Sequence, residues 1–186
     1  MTERIQAVEA IPIRIPRETP YLGALEEGVR VTDTGYFVRP GNRSVYSIHD
    51  QSLLVKITTE NGLVGWGECV AFVAPRANAA IINDVVGPLL IGRDVTDPAV
   101  IYHDLYDLMR VRGFFGGYYH DSISAVDIAL WDAFGKTVRT PVCKLLGGRR
   151  HPSLPAYVSG LPKATLDERV ELALQWQARG FSAFKF

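Results

Sequence analysis

Lys185 is the residue whose type and position offer most chemistry in this 186-residue chain. It stands in the run Phe181-Ser182-Ala183-Phe184-Lys185-Phe186, where strand alternation sends Phe184 and Phe186 to one face and the amine to the other. An ammonium group is costly to bury without a partner or a task. Two local readings stay open. Either the amine points into the lumen of an α/β barrel, at the carboxyl end of a parallel strand where such barrels hold their reacting groups, or it snorkels into solvent at a frayed chain end. Glu68 closes Gly62-Leu63-Val64-Gly65-Trp66-Gly67-Glu68. It either contacts and orients a substrate or serves as a surface carboxylate or an arginine partner. Tyr21 sits in a long loop, where it packs or touches substrate. Arg30, Arg39 and Arg43 share that loop; they either meet a polyhydroxylated acid or stand solvated, and the solvated reading is the simpler. His49, His103, His120 and His151 show no metal-ligand spacing, so no metal ligand is assigned.

The elements that position these groups can be read in order. Residues 5 to 15 alternate, and Pro12 and Pro16 make them an edge strand, because proline cannot donate to a ladder. Residues 17 to 50 keep no helical period and read as a functional loop. Residues 52 to 59 and 63 to 68 are β-rich and flank Asn61-Gly62, a strong hairpin signal in which both central positions can take positive φ. Residues 76 to 90 carry apolar side chains at helical spacing. Asp97-Pro98 offers an N-cap followed by proline at N1, and Asp121 can cap a third, buried helix that Pro141 stops. Residues 156 to 159 read as a short strand. Thr165-Leu166-Asp167-Glu168 is a capping box; Leu166, Val170, Ala173 and Leu174 form that helix's apolar stripe, and Gly180 is placed at C′. A strand, a helix and a second strand with so short a crossover make a parallel βαβ unit. The chain thus passes from an α+β domain into the first repeat of an α/β domain near residues 148 to 155.

Composition bounds the partners. Twenty basic and twenty acidic residues cancel, so no global field draws nucleic acid or an anionic membrane. Arg149-Arg150 reads as a solvated turn. Cys69 and Cys143 form no CxxC pair, which favours reduced thiols over a disulfide framework or a zinc site. Neither an export signal nor a membrane span is expected, and the localisation expected is cytoplasmic.

Three segments carry a family resemblance that covers essentially the whole chain. Ala125-Val126-Asp127-Ile128-Ala129-Leu130-Trp131-Asp132, continuing through Gly135-Lys136 to Pro141-Val142 and Leu145-Leu146-Gly147-Gly148, resembles the A-hydrophobic-D-x-A-L-W-D helix of the enolase superfamily, mandelate racemase/muconate lactonizing enzyme type. The run from Gly62 to Glu68 looks like its G-x-x-G-x-G-E strand. Gly180 to Lys185 looks like the approach to its K-x-K motif. The resemblance implies an α+β capping domain over residues 1–148, a small antiparallel sheet plus helices. It implies that residues 149–186 begin an incomplete (β/α) TIM-type barrel. It further implies a magnesium ion binding a substrate carboxylate, and abstraction of the proton α to that carboxylate to give an enediolate. Positive charge must stabilise such an intermediate. Lys185 matches the first lysine of K-x-K, which usually helps the enediolate electrostatically, whereas the second would follow Phe186.

Tyr21 falls in the family's specificity loop, Glu68 faces the barrel mouth, and Asp127 and Trp131 are expected to be structural. The metal carboxylates belong to later strands, so magnesium ligands are expected beyond residue 186. The chain is expected to be a fragment that alone shows no turnover and no tight magnesium site. For the parent an acid-sugar dehydratase is favoured, because a long arginine-bearing loop suits a hydroxylated sugar acid. A racemase, epimerase or cycloisomerase is the alternative, and a non-catalytic capping or oligomerisation module is the alternative of another class. Homo-oligomers are usual in the family.

Overall fold

A computed structural model describes residues 2–185. The chain forms two compact units: Met1–Ile15 with Gln51–Gly148, and Pro16–Asp50 with Arg149–Phe186. The long loop thus clusters with the last forty or so residues rather than with the strands that flank it.

The first unit is built on a three-stranded sheet. β1 (Ile5–Pro16), β4 (His49–Thr59) and β5 (Val64–Cys69) lie in the order β1-β4-β5. β1 is at an edge, where its two prolines remove no interior ladder bond. β4 alternates buried and partly exposed residues from Gln51 to Thr59, placing Leu53, Val55 and Ile57 in the core with no exposure. β4 and β5 pair antiparallel, Leu54 opposite Glu68 and Lys56 opposite Trp66. Their turn differs from the expected one. Only Gly62 takes positive φ, at 80°; its N–H donates to Thr59 O (2.9 Å) and Thr59 N–H donates to Leu63 O (2.9 Å). That is a type I turn closed by a glycine bulge.

The helices of this unit pack on the sheet. α1 (Pro75–Ala80), a π-helical turn (Ile81–Val86) and α2 (Gly87–Leu90) follow one another where one regular helix was expected. Pro88 explains the widened turn. It has no N–H to donate, and its ring would strike the carbonyl four residues back in a regular helix; Gly87 N–H reaches back to Ile82 O instead. α3 (Pro98–Arg110) has proline at N1 as expected, but the Asp97 side chain makes no capping bond. α4 (Gly117–Thr137) begins a turn before Asp121, with Gly116 at its N-cap. Tyr119 extends it: the ring is buried and its hydroxyl donates to Leu105 O of α3 at 2.5 Å.

α4 lies against β5 because both surfaces lack bulk. A Cβ at Gly65 would meet Ala133 Cβ at 2.8 Å, and one at Gly67 would meet Ala129 N at 2.9 Å and come closer still to Ala125 O. Real side chains do not approach so near, so only glycine fits. The same helix closes the free edge of β5. Asp132 Oδ2 accepts from Trp66 N–H (2.8 Å) while Lys136 Nζ donates to Val64 O (2.8 Å) and to Asp132 itself (2.6 Å). An edge strand's open donor and acceptor are thereby satisfied. Gly65, Gly67, Asp132 and Lys136 of the sequence motifs act as one packing device. α5 (Val142–Leu145) completes the unit.

Cys69 is buried here and Cys143 is exposed. Burial, with a smaller contribution from the charge of Asp121, pushes the Cys69 thiol up to about 11. Reactivity follows the thiolate and its access. One thiol, Cys143, will therefore react with a chromogenic disulfide reagent at pH 8 in the folded protein, and the second only after denaturation; two fast equivalents would contradict the placement of Cys69.

In the second unit, β2 (Tyr36–Val38) and β3 (Val45–Ser47) form a small antiparallel pair inside what the sequence reads as loop. β6 (Val158–Ser159) and β7 (Phe184–Lys185) pair in parallel, Ser159 opposite Lys185, with α6 (Leu166–Ala178) between them. This is the expected βαβ unit. The capping box is complete: Glu168 N–H donates to Thr165 Oγ1 (3.3 Å) and Thr165 N–H donates to Glu168 Oε2 (3.0 Å). Hydrogen bonds from Thr165, backbone first, hold the Glu168 carboxyl below its ordinary range. Gly180 takes φ 96° and donates to Gln177 O, while Phe181 N–H donates to Trp176 O. These two bonds make a Schellman end, and Phe181 packs edge-on to Trp176 at 5.4 Å. The expected apolar stripe is less covered than its pattern suggests: Leu166, Val170 and Leu174 are all exposed. The expected placement of Phe186 lies outside the described residues.

Candidate functional site

The second unit contains a cleft of about 590 Å³ lined by Arg17, Thr19, Tyr21, Ser159, Lys163 and Lys185 among others. Its floor comes from the parallel pair. Ser159 and Lys185 stand opposite in register, and Gly160 N–H donates to Lys185 O (3.0 Å), which fixes the strand ends beside each other. Phe184 is half-buried and Lys185 exposed, so the two alternate faces as strand geometry requires.

Lys163 enters from the segment joining β6 to α6. Its carbonyl accepts from Arg169 Nε (2.8 Å), tying that segment to the first turn of the helix. Arg17, Thr19 and Tyr21 come from the long loop. Arg17 Nη1 donates to Asp50 Oδ1 (2.7 Å) and its Nε to Thr19 O (3.1 Å), and its guanidinium stands 5.9 Å from the Tyr21 ring centre. Tyr21 also tilts against Tyr46 of β3, 6.2 Å between ring centres, and the residue remains 55% exposed.

The electrostatics are one-sided. Three cationic side chains and several hydroxyls line the cleft, and among the described residues no carboxylate does. One of the three, Arg17, is offset by Asp50. Two lysines remain to draw an anion, Lys163 with part of its charge offset by Glu168; at so exposed a surface each such attraction is about 1 kcal/mol or less. The arrangement fits a carboxylate or an enolate oxygen. It does not fit a divalent cation: among the described residues no group of three His, Cys, Asp or Glu could hold a metal, and ammonium groups repel one.

Of the three residues singled out in the sequence, Tyr21 and Lys185 line this one cleft. Glu68 belongs to the first unit, exposed on β5, where its Oε1 accepts from Ser52 Oγ at 2.5 Å. Arg39 is not the solvated loop arginine expected; its side chain is only 11% exposed and is engaged by loop carbonyls. Arg30 and Arg43 are exposed. Asp127 is half-buried on α4 with one carboxylate oxygen lacking a partner among the described residues. Burial raises its pKa, and a hydrogen bond with Trp131 works against that rise. Lys163 escaped sequence reasoning. Its signal was positional: it follows the first parallel strand, on the loop side where barrels carry their functional groups.

Comparison with known proteins gives the family. Residues 26–147 match the family model described as mandelate racemase / muconate lactonizing enzyme, N-terminal domain. The chain is 38% identical over 138 residues to a D-galactarolactone cycloisomerase of Agrobacterium fabrum, covering 72% of this chain and 35% of that protein. It is 32% identical over 147 residues to a D-galactonate dehydratase of Xanthomonas euvesicatoria, covering 77% and 36%. Among solved structures, a member of the enolase superfamily from Agrobacterium tumefaciens superposes with TM-score 0.94 at 55% identity, over 100% of this chain and 48% of that one. A mandelate racemase/muconate lactonizing protein from Paracoccus denitrificans, complexed with magnesium, gives TM-score 0.70 at 28% identity over 98% and 41%. The chain therefore spans about a third of the length of these two sequence relatives and under half that of the two solved structures.

Proposed function

The chain belongs to the mandelate racemase/muconate lactonizing enzyme family, and from that premise we propose that the protein removes the proton α to the carboxylate of a hydroxylated sugar acid. The observation that carries this reading is the cation-lined cleft in which Lys185, Lys163 and Tyr21 meet. An α-proton next to a carboxylate is very weakly acidic, and its removal places a second negative charge on the carboxylate oxygens. Charge that develops in the transition state is where a fixed ammonium group is most effective. Lys185 supplies that group at the strand end; Lys163 holds the substrate carboxylate, and Tyr21 contacts the hydroxylated chain. Glu68, its carboxylate held by Ser52, is proposed as a further substrate-orienting group.

Residues 1–148 act as the capping domain and residues 149–186 as the start of the barrel. The relative that carries magnesium supports a metal-dependent reaction for the whole protein. The residues of the cleft do not fit that ion, and its ligands are proposed to follow residue 186.

Dehydration is the favoured outcome. The α C–H bond breaks and its proton goes to a base; the β C–O bond then breaks as a general acid gives the leaving hydroxyl a proton, so that it departs as water, and the resulting enol tautomerises to a 2-keto-3-deoxy acid. Cycloisomerisation is a second reading, supported by the 38% identity over 138 residues to the relative of that name. Both begin with the same proton. No helix among the described residues is long and apolar enough to cross a membrane, and the balanced net charge suits a small-molecule partner rather than nucleic acid.

The test is to incubate the complete protein with magnesium and a panel of aldonic acids, aldaric acids and their lactones in D₂O. Loss of the α-proton NMR signal is expected for at least one of them, with a 2-keto acid trapped by semicarbazide if dehydration follows. Washout with no keto acid would favour isomerisation, and absence of washout from every sugar acid would remove the proposal.

A further inference from the structure

The loop that brings Tyr21 to the cleft is held in a conformation its own residues do not favour. Gly23 N–H donates to Pro20 O (3.0 Å), closing a turn with Tyr21 and Leu22 at its centre. Leu22 takes φ 70°. With Tyr21 at ordinary negative φ this is a type II turn, and its third position is one that glycine or asparagine normally fills. A leucine there needs an outside support. Leu22 does not supply one by burial, since it is 48% exposed.

Arg39 supplies the support. Its Nη2 donates to Tyr21 O (2.8 Å) and Gly23 O (2.6 Å), and its Nη1 to Ala24 O (3.2 Å). The guanidinium also lies 5.5 Å from the ring centre of buried Phe37 and 4.0 Å from Glu26. The backbone of Arg39 is itself anchored, with its N–H on Ser44 O (3.0 Å) and its carbonyl accepting from Arg43 N–H (2.9 Å), at the end of the β2–β3 pair. A planar fork with fixed donor directions can span three carbonyls, whereas a lysine's single ammonium cannot reproduce that geometry. Beside this, Tyr21 is bracketed by Arg17 and by Tyr46 of the same pair.

We infer that Arg39 is the positioning residue of this site: its guanidinium fastens the Tyr21 turn to the β2–β3 pair and so sets where Tyr21 stands at the cleft. The substrate-directed half of this inference rests on the proposed function; the fastening itself does not.

The experiment compares Arg39→Met and Arg39→Lys in the complete protein, alone and combined with Tyr21→Ala. Amide hydrogen exchange at Gly23, whose N–H closes the turn, is expected to accelerate roughly tenfold or more in Arg39→Met with the first unit's protection unchanged, and Arg39→Lys is expected to restore less than half of the loss. For α-proton removal from a sugar acid, KM is expected to rise roughly tenfold with kcat within about threefold, the pattern of lost uniform binding. In the Tyr21→Ala background the Arg39 substitution is expected to add nothing further to KM, because both act through one contact. Unchanged exchange at Gly23 would overturn the fastening. A KM effect that is equal with and without Tyr21 would overturn the link to the site. If the wild-type protein removes no α-proton, the cleft's assignment fails while the exchange result still decides the role of Arg39. Should Arg39→Met not fold, Arg39→Lys carries the same comparison.

Discussion

Gly67→Ala will cost the first unit about 3 kcal/mol or more and lower its melting temperature by roughly 10 °C or more, although it adds one methyl group. The reason is the surface it meets. A Cβ at that position would press on the Ala125 carbonyl and stand 2.9 Å from the Ala129 amide. Both are backbone atoms of α4, and a helix backbone cannot rotate aside as a long side chain can. Relief requires α4 to lift from β5, and lifting it breaks more than packing. Asp132 and Lys136 then lose Trp66 N–H and Val64 O, which they now satisfy from the same helix. Core residues of α4 without solvent exposure, Ala125, Val126, Ala129, Leu130 and Ala133, would be partly uncovered. The cost is therefore expected to exceed that of an ordinary overpacked methyl. Gly41→Ala is the control. It has nothing within 4 Å of its Cβ position and no positive φ, so it will shift the melting temperature by no more than a degree or two. Equal melting temperatures for the two variants would show that the helix and strand do not depend on that close approach.

What could be read from the sequence followed how far each signal had to reach. The Thr165–Glu168 capping box and the Gly180 helix end are satisfied within a few residues, and both stand as read. The alternation of β4 and the prolines of β1 also carry their meaning locally, and both elements take the expected places. Asp97 and Asp121 were equally plausible caps by type, yet neither caps. The start of α4 is decided by Tyr119 reaching a carbonyl on α3, a contact no short window contains. The widened turn before Pro88 is local in cause but leaves the apolar spacing almost intact, so periodicity alone does not reveal it. The β2–β3 pair was hidden for a different reason. Each strand is only three residues long, too short for a pattern, and the surrounding loop is ordered by the Arg39 guanidinium rather than by a repeated hydrophobic face.

The candidate site divides along the same line. Lys185 was legible because a strand end in a parallel unit is a place with a known use, and because the motif leading to it is recognisable. Tyr21 was legible only as an occupant of a long loop, and the fold is what puts it beside Lys185 in one cleft. Lys163 has no motif of its own. A lysine two residues before a capping box resembles any solvated lysine until the loop from residue 16 to residue 50 joins the same compact unit and the cleft there is seen to hold no acidic group among the described residues. One-sided charge is a property of the assembled surface, since the chain as a whole is neutral.

Lys185→Met in the complete protein will lower the rate of α-proton exchange by about 10² to 10³, the loss usual when one preorganised group facing a developing oxyanion is removed. Methionine keeps the unbranched stem, one atom shorter, and removes the charge and the donors. Lys185 is exposed, and its backbone carbonyl, rather than its amine, holds the β6–β7 junction through Gly160 N–H. The melting temperature should therefore stay within a degree or two of the parent's, so the kinetic loss cannot be assigned to unfolding. The distribution of that loss is the informative part. If the amine acts on the enediolate, kcat and kcat/KM fall together and KM moves little, because the interaction belongs to the transition state. If it merely draws the carboxylate in, KM rises and kcat survives, which is the behaviour expected of Lys163→Met instead. Salt separates the two roles further: diffusional attraction weakens with ionic strength, while a charge held against a desolvated oxygen is screened much less. A Lys185→Met protein that exchanges the α-proton at the parental rate would take Lys185 out of the chemistry and leave the cleft as a binding surface only.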